Sequence, residues 1–260
     1  MLCKELITWM EQSYPTDAAL DWDNVGLLVG HADKEVQKVH LALDATSEVI
    51  AHAVLKQADL LITHHPMIFT PLKRVTQEEP VGNHIITLVE NGISYYAMHT
   101  NYDVLRMGEL VAQRLNLEML EVLEVTQNRD GKDVGLGCLT RTKQPLTLEM
   151  CCGIVKEKFT LPHVKLFGNP GQEIQRIAIC PGSGKSVIDV AVEKNAQVLI
   201  TGDIGHHEGI EALDRGLSII DAGHYGLEHI FMEDMNRFLK EKASKLVVTT
   251  ETIQHPFRIL

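Results

Sequence analysis

The chain has 260 residues, enough to bury one large core or two modest ones, and its 45% apolar and 23% charged content is that of an ordinary globular protein. A formal net charge of -11 argues against nucleic acid as the main partner, because a phosphate backbone demands basic surface. Five cysteines (Cys3, Cys138, Cys151, Cys152, Cys180), an odd number with no Cys-x-x-Cys spacing, suggest no disulfide framework and fit reduced thiols in a cytoplasmic protein. No apolar stretch approaches the roughly 20 residues of a membrane span, which argues against a membrane partner. The first residues, with Lys4, Glu5 and Glu11 on an amphipathic pattern, do not read as a secretory signal.

In chain order, helical periodicity is expected at about 3–13, 47–57, 83–91, 107–116, 146–158, 185–195, 206–215 and 225–242. Strand-like runs fall at 26–30, 39–43, 59–63, 94–98, 135–140, 176–180, 197–201, 218–221 and 246–249. The alternation predicts an α/β fold with largely parallel pairing. The polar stretch 126–133 is the best boundary. It divides an N-terminal α/β half, 1–125, from a C-terminal α/β half, 126–260. The run ADLLIT from Ala58 resembles AQVLIT from Ala196, and NGISYY from Asn91 resembles RGLSII from Arg215. The two spacings differ by fourteen residues, about the length of 69–82, which the second copy lacks. An internal duplication of βαβ units is therefore expected, with a cleft between the halves.

Chemistry concentrates just past the strands, where open α/β sheets bind ligands. His64 and His65 end an apolar run and are followed by Pro66, which biases His65 away from helix. Adjacent side chains on an extended chain point to opposite sides, so the pair suits two neighbouring ions better than one. The plainer alternative is two hydrogen-bonded histidines. After the strand at 94–98 come His99 and Asp103; Asp103 is either a ligand or the cap of a helix starting near Arg106. After the strand at 218–221, Gly223 permits a sharp turn, and His224 and Glu228 share one face of a helix four residues apart. That spacing also occurs on ordinary exposed helices. Together His64, His65, Asp103, His224 and Glu228 offer three imidazoles and two carboxylates, suited to Zn, Fe, Mn, Co or Ni. Two such ions bridged by a carboxylate, Glu228 here, form a hydrolytic arrangement.

Two further motifs have less specific readings. Pro181-Gly-Ser-Gly-Lys-Ser186 ends like a phosphate-binding loop, but the Walker spacing needs glycine where Ile179 stands, so ATP hydrolysis is rejected. Gly182, Ser183, Gly184 and Lys185 remain candidates for a substrate-phosphate contact before a helix. His206 and His207 read as lining the cleft or supporting the ligands, or as a solvated helix start.

These segments, together with Asp21-Trp-Asp-Asn-Val-Gly-Leu-Leu-Val-Gly30 and Thr201-Gly-Asp203, resemble the GTP cyclohydrolase I type-two family, also called the NIF-three-like proteins. The matches run in family order over nearly the whole chain, which looks like the short form without the inserted domain. The resemblance implies two intertwined pseudo-repeats with mixed, mostly parallel sheets flanked by helices, and a metal site in the cleft between them. It further implies two divalent ions per chain on the same five ligands, Glu228 being shared, and a ring-shaped homohexamer. The implied activity is hydrolysis of a small molecule, possibly a nucleotide. A metal-bound hydroxide would open the imidazole ring of guanine and release formate, with His99 as proton shuttle and His206 or His207 assisting. Two other readings stay open: a broader phosphoester or amide hydrolase, and a non-catalytic metal-binding interaction or regulatory protein.

Overall fold

A computed structural model describes residues 1–259. Eleven strands occur among them: β1 Gly26–Val29, β2 Lys38–Ala42, β3 Leu60–Thr63, β4 Ser94–Ala97, β5 Glu118–Arg129 and β6 Lys132–Thr147. They continue with β7 Lys165–Phe167, β8 Glu173–Ser183, β9 Val198–Gly202, β10 Ser218–Asp221 and β11 Val247–Thr250. The fold is mixed α/β, with two mixed sheets flanked by helices. The chain forms two compact units. The first comprises Met1–Tyr102 and His229–Gln254; the second comprises Asp103–Glu228 and the segment from His255 onward.

The first unit holds a five-stranded sheet in the order β1-β4-β3-β2-β11. All neighbours are parallel except β1, which runs against β4. Leu60–Thr63 and Ser94–Ala97 are buried at every position, as expected of central parallel strands covered on both faces. Each fully buried Leu or Ile side chain there contributes about 1.5–3 kcal/mol. The helix Ser47–Leu55 lays Val49, Ile50 and Ala53 on this sheet and starts where the Thr46 hydroxyl accepts from the Val49 amide, a cap worth about 1 kcal/mol. Pro80 opens the helix Pro80–Glu90 at the one turn where a missing N–H goes unnoticed.

The second unit holds six strands in the order β5-β6-β8-β9-β10-β7. The β8-β9-β10 core is parallel; the pairs β5-β6, β6-β8 and β10-β7 are antiparallel. The polar stretch 126–133 is the tip of the β5–β6 hairpin. Asp130 and Gly131 both take positive φ there, 51° and 80°, the geometry of a tight hairpin turn. The strand β5, which the sequence pattern does not predict, is a sheet edge, half of its residues exposed and Glu118, Glu121, Glu124 and Arg129 charged. The helix expected at 225–242 is divided at His229 into His224–Glu228 and Ile230–Lys242. That expected at 185–195 begins as a 3-10 turn, Lys185–Val187. The helix expected at 107–116 is preceded by a π-helical turn, Asp103–Met107, a form rare in soluble proteins and frequent at functional sites.

The two units repeat one plan. In each, an antiparallel edge strand precedes three parallel strands in chain order, β1 then β2-β3-β4 in the first and β7 then β8-β9-β10 in the second. The spatial orders β1-β4-β3-β2 and β7-β10-β9-β8 match strand for strand. The similar runs at Ala58 and Ala196 lead into the equivalent strands β3 and β9, and those at Asn91 and Arg215 into β4 and β10. The repeat read in the sequence is therefore also a repeat of topology.

Candidate metal centre

In the first unit the carboxyl ends of β3 and β4 bring three imidazoles together. His64, His65 and His99 each offer a ligand atom, and these atoms lie within 4.8 Å of one another. Ring centroids stand 4.9 Å apart for His64 and His65, 5.3 Å for His64 and His99, and 5.6 Å for His65 and His99. Each Nδ1 is already committed. That of His64 lies 2.7 Å from the Met98 carbonyl, that of His65 2.7 Å from Asp44 Oδ1, and that of His99 2.9 Å from Asp23 Oδ1. An acceptor at Nδ1 puts the proton there and leaves Nε2 as the lone-pair nitrogen, the arrangement usual for metal-binding histidines.

Asp23 is the best anchored of these acceptors. Its second oxygen accepts from the Thr100 amide at 2.9 Å and the Thr100 hydroxyl at 2.5 Å. Burial pushes its carboxyl group upward, but His99 and Thr100 outweigh that and bring it down to about 2. Behind His64, Phe231 packs at 5.2 Å between centroids and Tyr102 at 6.1 Å, while the Tyr102 hydroxyl donates to Asp234 at 2.6 Å.

In the second unit His224 and Glu228 meet as their spacing predicts, with Nε2 and Oε2 3.0 Å apart. His224 Nδ1 is held by Asp203 at 2.8 Å, repeating the pattern of the first unit. Burial, the largest influence on His224, favours the neutral ring, but Glu228 and then Asp203 raise it to about 9. A carboxylate oxygen of Asp103 lies within 4.8 Å of one of Glu228. Burial raises the Cys180 thiol well above its ordinary range, and the charges of Asp103 and Glu228 add to that. Gly182, with φ +74°, backs the same carboxylate: a Cβ there would sit 2.6 Å from Glu228 Oε1 and 3.6 Å from His224 Nε2. The glycine turn thus closes on Glu228.

The other sequence candidates are dispersed more loosely. Lys185 is exposed and ion-paired with Glu208. His206 and His207 are exposed on the first turn of the helix His206–Asp214, their rings 5.3 Å apart. Sequence reasoning gives no role to Asp23, Asp44 and Asp203, which orient three of the imidazoles, although Asp23 and Asp203 lie in segments that carry the family resemblance. A signal for two of them exists: Asp44 and Asp203 each follow closely on the end of a parallel strand, β2 and β9.

The donor chemistry suits a divalent metal. Imidazole nitrogens with fixed tautomers and carboxylates gathered at strand ends match the nitrogen-and-oxygen preference of such ions. The fold and this site define an α/β protein with candidate metal-binding clusters at the ends of its parallel strands. The chain belongs to the Duf34/NIF3 (NGG1p interacting factor 3) family, whose model matches residues 1–256. A Streptococcus pneumoniae protein called GTP cyclohydrolase 1 type 2 homolog is 34% identical over 247 residues, covering 93% of this chain and 91% of that protein. One of the same name from Clostridium acetobutylicum is 31% identical over 249 residues, covering 95% and 92%. The crystal structure of a Staphylococcus aureus hypothetical protein, SA1388, superposes with a TM-score of 0.90 at 29% identity, covering 100% of this chain and 99% of that one. No helix among the described residues is long and apolar enough to cross a membrane.

Proposed function

We propose that the protein is a dinuclear divalent-metal-dependent hydrolase of a small molecule. The observation that carries this reading is the shared orientation of the imidazoles, each with Nδ1 on an acceptor, so that Nε2 is the nitrogen turned to the other donors, as His224 Nε2 is to Glu228 at 3.0 Å. The ligands would be His64, His65, Asp103, His224 and Glu228, with Glu228 shared. Divalent ions held there would supply Lewis acidity and make water a competent nucleophile near neutral pH.

The chain's own residues have separable tasks. Asp44 and Asp203 hold the rings of His65 and His224, and Gly182 keeps Glu228 in place. His99, tied to Asp23 through Nδ1, presents Nε2 and can take and return a proton during hydrolysis. His206 and His207 would assist that transfer, and Gly182, Ser183, Gly184 and Lys185 would meet a substrate phosphate. The relatives' name supports the narrower proposal that the substrate is GTP, its guanine imidazole ring being opened by water with loss of formate. The same donors would serve a phosphoester or amide hydrolase. The family's description as an interacting factor favours, as a second reading, a non-catalytic metal-binding regulatory protein. A homohexameric ring and a cytoplasmic location belong to the same proposal.

Elemental analysis and anomalous scattering should find two ions per chain on these ligands. Formate release from GTP should be abolished in His64→Ala and retained in Lys185→Ala. Metal retained by a protein that hydrolyses no nucleotide, cyclic amide or phosphodiester would favour the regulatory reading; protein purified without metal-binding capacity would sink both.

A further inference from the structure

Two large aromatic side chains lie exposed beside the histidine cluster of the first unit. Trp22 is 57% exposed and Phe69 55% exposed. Their ring centroids are 5.7 Å apart and their planes tilted by 54°, so the rings form an open wedge and neither covers the other's face. His99 completes the group, its centroid 5.9 Å from Trp22 and 6.5 Å from Phe69. Water meets apolar ring surface here that burial elsewhere would stabilise.

The loops carrying these rings are nevertheless fixed. Asp23, next to Trp22, is locked onto Thr100 and His99 by three hydrogen bonds. The Leu20 amide donates to the Thr100 hydroxyl at 2.9 Å, and the Asp23 amide donates to the Leu20 carbonyl at 2.9 Å. Asn24 Nδ2 donates to the Ile68 carbonyl at 2.6 Å, stitching the Trp22 loop to the residue before Phe69. Rings held open on a pinned backbone lose little entropy on binding a ligand.

We propose that Trp22 and Phe69 are a stacking platform that admits a planar, unsaturated ring to the His64, His65 and His99 cluster. A tryptophan face binds a heteroaromatic ring without reading its edge, so the platform selects for planarity before base identity. The inference deepens the hydrolase reading by naming the residues that would hold a substrate's ring, and it rests on that reading only for what happens after the ring is bound. Trp22 and Phe69 are specificity residues; His99, one ring away, is the group that touches the reacting atoms.

The test uses the second tryptophan, Trp9, which is replaced in a Trp9→Phe background so that Trp22 alone reports. Guanosine should quench its emission saturably, whereas ribose 5-phosphate, which lacks the ring, should not. By calorimetry, Trp22→Ala should weaken guanosine binding about 5- to 150-fold, the range of one base–aromatic stack, and Trp22→Phe should recover most of it. Phe69→Ala should weaken it in the same direction. Both rings are exposed, so thermal unfolding should be unchanged and a folding defect is separable. Equal guanosine affinity in Trp22→Ala and the parent would overturn the proposal. So would a fall in molecular mass by light scattering with ring affinity unaltered, which would assign the pair to a contact between copies of the chain. Repeating the titrations after chelation separates the two readings. Ring binding without metal leaves the platform standing if the metal proposal fails, and stoichiometric metal without ring binding refutes the platform alone.

Discussion

Replacing Asp23 by asparagine keeps the shape of the side chain and removes its charge. In the native protein the carboxylate holds His99 Nδ1 and both donors of Thr100, and its pKa falls from the ordinary 3.8 to about 2. At about 1.4 kcal/mol per pH unit, that fall corresponds to about 2–3 kcal/mol of stability contributed by the ionised form. Because the folded value is the lower one, the contribution is complete above about pH 4 and is lost as pH falls through about 2. Urea unfolding of chelator-treated protein should therefore show Asp23→Asn less stable by about 2 kcal/mol at pH 7. The gap should narrow steadily between pH 4 and pH 2. The substitution also reverses a tautomer. An asparagine that keeps its oxygen on Thr100 turns its NH2 toward Nδ1, so the His99 proton must move to Nε2. Nitrogen NMR of the imidazole should then report Nε2–H in the variant and Nδ1–H in the parent, and any hydrolytic rate should fall without a matching rise in KM. A variant as stable as the parent at pH 7, with His99 still protonated at Nδ1, would refute this role for Asp23.

Gly182→Ala forces an L side chain into a positive φ, at about 1–2 kcal/mol, and drives its Cβ toward Glu228. Lower stability together with reduced metal stoichiometry is expected from denaturation and elemental analysis; unchanged metal content would show that Glu228 does not depend on that turn. Asp44→Ala frees the His65 ring and should weaken metal binding about 10- to 100-fold in a competitive chelator titration, with little change in unfolding of the metal-free protein. Acid should loosen the last strand. Glu251 holds His40 and His52 at 3.2 and 2.9 Å, and its own carboxyl is lowered, burial opposing the effect of His52, the Thr252 amide and His40. Burial lowers His40, Glu251 opposing it. Both depressed values contribute stability that is present above the ordinary pKa of each group and lost on acidification. Amide protection factors for Val247–Thr250 should drop between pH 7 and pH 4, and Glu251→Gln should lower them already at pH 7; protection independent of both changes would rule out the latch.

The order of elements, the strand-end histidines and the internal repeat were legible in the chain because each is a local signal. Buried parallel strands read as short apolar runs, and His64, His65 and His99 stand immediately after such runs. His224 and Glu228 were legible because four residues make one helical turn. Hairpin edges were harder. β5 is half exposed and charged, so its periodicity is faint, although Asp130-Gly131 is a turn signal. What only tertiary structure decided are the partnerships between distant residues. His99 finds Asp23 from 76 residues away, His40 finds Glu251 from 211, and β11 returns to pair parallel with β2. Such pairings depend on how sheets assemble after the local elements form, and no short window of sequence encodes which strand end will face which carboxylate.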